Sequence, residues 1–161
     1  MIRRATPADA EGIFRVHRSA ILDVASTLYT SEQIEAWAGK LSPASYTEPI
    51  ENKIVLVADD AGQICGFGQL DPKNSMVEAV YVLPSHLRRG LGGRLLSALE
   101  SIARASGLTR LTLDASLNSL PFYEQAGYRR VRSVGHELKP GVSIPCVVMR
   151  KELVSHVSHA R

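Results

Sequence analysis

The chain has 161 residues, 45% of them hydrophobic and 22% charged, which suits one globular domain and excludes a largely disordered chain. Its net charge is only +3, and its arginine groups at 3–4, 88–89 and 129–132 are separate, which fits a single anionic ligand better than a nucleic-acid protein with a broad basic face. Cys65 and Cys146 are too few and too far apart for a disulfide framework or a CxxC site, no apolar run reaches the ~18 residues of a membrane span, and Arg3, Arg4 and Asp9 interrupt any signal-peptide pattern, so the expected compartment is the cytoplasm.

Residues 2–5 read as a short first strand. Thr6 as N-cap, Pro7 at the first position and Asp9 in the first turn then open a helix whose apolar face is Ile13, Val16, Ala20 and Val24. A second, short helix starts at Ser31, carries Ile34 and Trp37, and closes near Gly39; residues 41–53, with two prolines, read as loop. Strands at 54–58 and 63–70 flank the turn Asp59-Asp60-Ala61-Gly62 and predict a hairpin. A strand over 76–83 leads to a long helix of roughly 90–106 that stops at Gly107, followed by a strand at 109–114. A short helix over 119–126, a strand at 128–134 and a last strand at 144–152 complete a single domain of residues 1–153, with 154–161 expected as a flexible tail. The passage 76–114 is strand, long helix, strand, which predicts a parallel crossover inside an otherwise antiparallel mixed sheet.

Residues 80–100 carry the most specific signal. A β-branched run ends at Pro84, and a basic turn with Gly90, Gly92 and Gly93 enters a helix patterned Leu91, Leu95, Leu99 and Ile102. Glycines let backbone N–H groups turn inward without Cβ obstruction, the helix adds its positive end, and Arg88 and Arg89 add full charges. Such a device takes a phosphate or pyrophosphate. A nucleotide P-loop is excluded, because no Lys followed by Ser/Thr stands after the glycines. The dinucleotide fingerprint fits poorly: six residues, 84–89, separate strand from first glycine, Leu95 occupies the third glycine position, and no further parallel βα units follow.

Two blocks resemble the GCN5-related N-acetyltransferases. Val80-Tyr81-Val82-Leu83-Pro84 followed by Leu87-Arg88-Arg89-Gly90-Leu91-Gly92-Gly93-Arg94 is similar to that family's motif A, in which Gln/Arg-x-x-Gly-x-Gly/Ala receives the pyrophosphate of acetyl-CoA. Leu87 departs from the first position of that signature. Asn118-Ser119-Leu120-Pro121-Phe122-Tyr123-Glu124-Gln125-Ala126-Gly127-Tyr128 resembles motif B, with Pro121 where Ala is usual, and the blocks stand about 25–30 residues apart, as in the family. The phrases at 24–38 and 115–123 are similar to the bacterial YafP-type subgroup.

The resemblance implies an α/β (α+β mixed) fold of GNAT type: a central, mostly antiparallel sheet of six to seven strands, a V-shaped splay between strands 4 and 5, and helices on both faces. It implies acetyl-CoA as cosubstrate, no metal, and acetyl transfer to a primary amine of a small molecule or peptide by direct attack in a ternary complex. Backbone groups of Val80 and Val82, beside Tyr81, would meet the pantetheine; amides of Arg88, Arg89, Gly90, Leu91, Gly92 and Gly93 would take the pyrophosphate; Asn118 would touch the coenzyme beyond the thioester. Tyr123 matches the motif B tyrosine that protonates the departing thiolate, and a packing ring is its alternative. An alkyl amine of pKa near 10.4 is neutral in only about one molecule in 2,500 at pH 7, so a base has work to do. Glu78, at the start of the splayed strand, is the first candidate for it, with a surface carboxylate as the alternative reading; Asp71 and His136 are the other candidates. By family analogy Tyr29 and Trp37, with Ile34, line the acceptor pocket, each equally readable as core.

The expected partners are an amine acceptor and a second copy of the chain, as homodimers are common among similar proteins, with neither nucleic acid nor membrane. A non-catalytic acyl-CoA-binding module on the same fold is the competing function. A nucleic-acid binder finds no aromatic–basic interleaving to support it.

Overall fold

Alternating apolar residues through the middle of the chain build one sheet around which the helices pack. The computed structural model describes residues 1–24 and 27–154, for Val24 the backbone alone. The strands are β1 (Ile2–Arg4), β2 (Ile54–Asp60), β3 (Gln63–Asp71), β4 (Met76–Val82), β5 (Arg110–Ser116), β6 (Arg129–Lys139) and β7 (Val142–Glu152). The helices are α1 (Ala10–Val24), α2 (Ser31–Gly39), α3 (Thr47–Asn52), α4 (Leu91–Ala105) and α5 (Leu120–Gln125). The sheet runs β1-β2-β3-β4-β5-β7-β6, parallel at β4–β5 and antiparallel at every other junction.

Side chains alternate across β3 and divide the helices between the two faces. On one face Phe67 stacks on Tyr81 of β4, with ring centroids 5.8 Å apart, and both rings meet His17 of α1. On the other, Gly66 and Gly68 admit α4 so closely that a Cβ on Gly68 would lie 2.9 Å from Leu99 Cδ1. Leu95 and Leu99 are wholly buried there, as Ile13, Val16 and Phe67 are on the α1 side.

Two features of β4 shape the site. Gln69 pairs with Ala79 and Leu70 with Val77, so Glu78 is the extra residue of a β-bulge. On its other edge β4 is registered with β5 at Met76–Thr112 alone among the described residues, supported by the Thr112 amide donating to the Ser75 carbonyl at 2.9 Å. Beyond that rung the strands part, which is the expected splay.

Two expectations need correction. Residues 41–53 are not a loop: a 3-10 turn at Pro43–Tyr46 leads directly into α3. Both prolines occupy first-turn positions, where a missing N–H costs no hydrogen bond, and buried Tyr46 anchors the segment edge-on to Phe67 at 5.9 Å. Strand β6 runs five residues past the expected end at 134, and β7 begins at Val142, joined by a turn at Pro140-Gly141. Most of β6 is exposed at the sheet edge, so no clean apolar alternation marks it. The first helix opens as expected, with Thr6 as N-cap, Pro7 at the first position and Asp9 in the first turn; that turn is 3-10, and the Asp9 carboxylate accepts from the Thr6 amide at 2.8 Å. No helix among the described residues is long and apolar enough to cross a membrane. Of the expected tail at 154–161, only Val154 lies within the described residues.

Candidate active site

The parting of β4 and β5 opens a cavity of about 560 Å³, walled by both strands, by α1 and α2 on one side, and by the start of α4 and by α5 on the other. Its backbone wall follows from the hydrogen-bond pattern. The Leu83 amide donates to the Cys65 carbonyl of β3 at 2.9 Å. Alternation along an antiparallel pair then turns Tyr81 and Ala79 toward β3 as well, and turns the amide and carbonyl groups of Val80 and Val82 toward the gap. Main-chain groups at such an edge need partners from outside the sheet.

At the top of β4 the chain makes a 3-10 turn, Pro84–His86, and then alternates in handedness. Arg88 (φ +65°) and Gly90 (φ +73°) are both left-handed, and Gly90 is the N-cap of α4. For Arg88, which has a Cβ, that conformation costs on the order of 1–2 kcal/mol. Such a turn gathers successive N–H groups into a concave nest. Among the described residues the amides from Arg88 to Gly93 find no acceptor; the first one engaged is that of Arg94, which donates to the Gly90 carbonyl at 3.1 Å. Arg88, Gly90, Leu91, Gly92 and Gly93 line the cavity, whereas exposed Arg89 does not.

Below the nest, the turn after β5 brings in Asn118, which also lines the cavity and whose buried Oδ1 has no hydrogen-bond partner. An acceptor atom in that state is suited to a donor on a ligand. Tyr29 steadies this turn: its hydroxyl accepts from the Leu117 amide at 2.8 Å and donates to the Pro145 carbonyl at 3.2 Å. That accounts for its burial in the second apolar cluster beside Ile34. Neither Tyr29 nor Ile34 reaches the cavity. Trp37 does line it, with Tyr29 packed edge-on behind it at 5.5 Å.

Tyr123 enters from α5, only 6% exposed, set edge-on to Phe122 at 4.9 Å and to Tyr128 at 5.7 Å. Burial pushes its phenol above the ordinary range, so it is protonated at neutral pH. Its hydroxyl makes no hydrogen bond to another described residue. Glu78 lines the cavity from the bulge, and its carboxylate accepts from Lys53 Nζ at 2.9 and 3.0 Å and from Gln69 Nε2 at 2.7 Å. The other candidate bases are elsewhere. Asp71 caps the turn after β3, accepting from Asn74 Nδ2 at 2.7 Å, and His136 is exposed on β6.

The sequence reading missed His86, Asp114 and Ser116 as lining residues. Asp114 and Ser116 were implicit in the period of β5, since they share a face with Thr112. His86, 3.5 Å from Asp60 through Nε2, sits in the turn between strand and glycines, which the motif reading passed over.

The family model described as an acetyltransferase (GNAT) domain matches residues 25–153. The chain belongs to the GNAT acetyltransferase family. This GNAT domain is 29% identical over 131 residues to the uncharacterized N-acetyltransferase YafP of Escherichia coli (strain K12), a match covering 81% of this chain and 82% of YafP. Its fold superposes on a GCN5-related N-acetyltransferase from Rhodopseudomonas palustris with a TM-score of 0.89 at 29% identity, covering 95% of both chains. PaiA N-acetyltransferase from Thermoplasma acidophilum, solved in complex with coenzyme A, shares the fold with a TM-score of 0.79 at 22% identity, over 94% of this chain and 98% of PaiA. The family, the YafP resemblance and the mixed sheet expected from motifs A and B all hold.

Proposed function

We propose that the protein transfers the acetyl group of acetyl-CoA to a primary amine of a small molecule or peptide, by direct attack within a ternary complex. The observation that carries this reading is the continuity of unpartnered main-chain groups along one wall, from the amides of residues 88–93 to Val82 and Val80. A diphosphate followed by an amide-bearing arm has the chemistry to satisfy them in that order. The solved complexes of PaiA with coenzyme A and of a Sinorhizobium meliloti phosphinothricin acetyltransferase with AcCoA support the choice of ligand.

In this reading the nest amides and Arg88 hold the diphosphate, with Arg89 adding charge from outside. Val80 and Val82, beside Tyr81, bond the pantetheine amides, and Asn118 Oδ1 accepts from the coenzyme. Acetyl-CoA supplies an activated thioester. A β4 amide stabilises the charge that develops on the thioester oxygen. Glu78 takes the proton of the attacking amine through water, and Tyr123 gives its proton to the leaving thiolate. Trp37 flanks the acceptor, and Tyr29 acts behind it.

The test is thiol release from acetyl-CoA by purified protein across a panel of amines, with a thermal-shift titration of CoA alongside. Turnover with at least one amine is expected. A CoA-induced shift without any turnover would replace the reading with a non-catalytic acyl-CoA-binding module, and no response to CoA would overturn both.

A further inference from the structure

Lys53 is the residue between α3 and β2, 25 positions from Glu78 in sequence, yet its ammonium grips both oxygens of that carboxylate, Oε1 at 2.9 Å and Oε2 at 3.0 Å. Gln69 Nε2 adds a third bond, 2.7 Å to Oε1. Oε1 therefore takes two donors and Oε2 one, which leaves Oε2 the oxygen with an open lone pair. The carboxylate is held at an unusual place. Glu78 is the unpaired residue of the bulge, two residues past the rung where β4 and β5 part, and a bulge re-aims the side chain it carries.

Lys53 itself does not line the cavity. The charged groups around it are Glu78, Asp71 with Oδ2 at 3.8 Å, and Glu48 of α3; Asp114 lines the same cavity from β5. The hydrogen bond to Glu78, then the neighbouring carboxylates, raise Lys53 above an ordinary lysine, so it is cationic throughout any assay range. The pair is partly exposed, its side chains 23% and 24% accessible, and exposed ion pairs contribute little to stability. A glutamate side chain without such anchors samples many rotamers.

Building on the reading of Glu78 as proton acceptor, we infer that Lys53 is a positioning residue: together with Gln69 it fixes the Glu78 carboxylate at the bulge so that Oε2 accepts the amine proton through one water. The step balances. The amine nitrogen forms its bond to the thioester carbon as its proton passes through water to Oε2, and the carbon–sulfur bond breaks as the sulfur takes the Tyr123 proton.

The test measures kcat and both KM values with acetyl-CoA and an amine turned over by the wild type, in K53M, K53R, E78Q and the K53M/E78Q double variant. K53M is expected to lower kcat about tenfold, as displacement of a catalytic group does, with KM for acetyl-CoA and the melting temperature little changed. K53R should restore part of the loss, and K53M should add nothing in the E78Q background. If E78Q is impaired while K53M matches wild type, Lys53 does not position the base and the inference falls alone. If E78Q turns over normally, the reading of Glu78 fails first. An undiminished K53M effect in the E78Q background would place the action of Lys53 elsewhere and overturn the inference. If K53M fails to fold, Q69L removes the other anchor, and wild-type kcat in that variant would also overturn it.

Discussion

Met76 of β4 and Thr112 of β5 face each other as registered partners, and above them the two strands diverge. Everything proposed for the site depends on that divergence. It leaves the main-chain groups of Val80 and Val82 facing the gap without a strand partner, and it sets Glu78 and Tyr123 on walls of one cavity. The consequences can be measured one residue at a time.

Tyr123→Phe removes one oxygen from a ring already fixed by Phe122 and Tyr128. We expect kcat to fall by about tenfold or more, with the melting temperature retained. Unchanged turnover in a folded variant removes Tyr123 from the mechanism.

Arg88→Ala removes a full charge from the nest and leaves a left-handed backbone with an ordinary Cβ. Titration calorimetry should show weaker acetyl-CoA binding and a flatter dependence on ionic strength than wild type. Equal affinity at every salt concentration would mean that the diphosphate lies elsewhere.

His17 sets a pH dependence. Its Nδ1 lies 2.8 Å from the Tyr46 hydroxyl, its ring lies tilted against that of Tyr81 at 4.3 Å, and burial pushes the imidazole down to about 4 from 6.5. Because the folded value is the lower one, the unfolded chain binds the extra proton more readily between the two. The contribution is therefore complete above pH 6.5 and is lost as pH falls toward 4, by at most ~1.4 kcal/mol per pH unit. Thermal melts between pH 7.5 and 4.5 should fall more steeply for wild type than for His17→Gln; parallel curves would exclude His17 as the cause.

Glu100 of α4 is 5% exposed and accepts from Lys151 Nζ at 3.1 Å through each oxygen and from the Tyr128 hydroxyl at 2.9 Å. Lys151→Met leaves that carboxylate buried without its cation and should cost about 3 kcal/mol in denaturant unfolding. Adding Glu100→Leu should recover much of the loss, since the group left uncompensated is then gone. No recovery would show that the ion pair is not what Lys151 contributes.

The turn at 88–93 and α4 were legible because glycine, charge and helical period agree within one short stretch. The crossover was legible because α4 is long enough to return the chain in parallel. The splay was not readable from periodicity, since Val80 and Val82 carry the same pattern whether or not a neighbouring strand pairs with them; family resemblance alone supplied it. The surroundings of Glu78 were also hidden. Lys53 follows a stretch whose prolines suggest a loop, and only the fold carries it across to β4. Tyr29 shows the opposite error: an aromatic beside the pocket was expected to face it, whereas its hydroxyl is occupied by two main-chain groups.

Among the described residues a single rung joins β4 to β5, so the sheet is laid out as two plates riveted at a corner. Whatever fills the open side becomes the missing fastener. Resistance to heat would then track how much cosubstrate surrounds the protein.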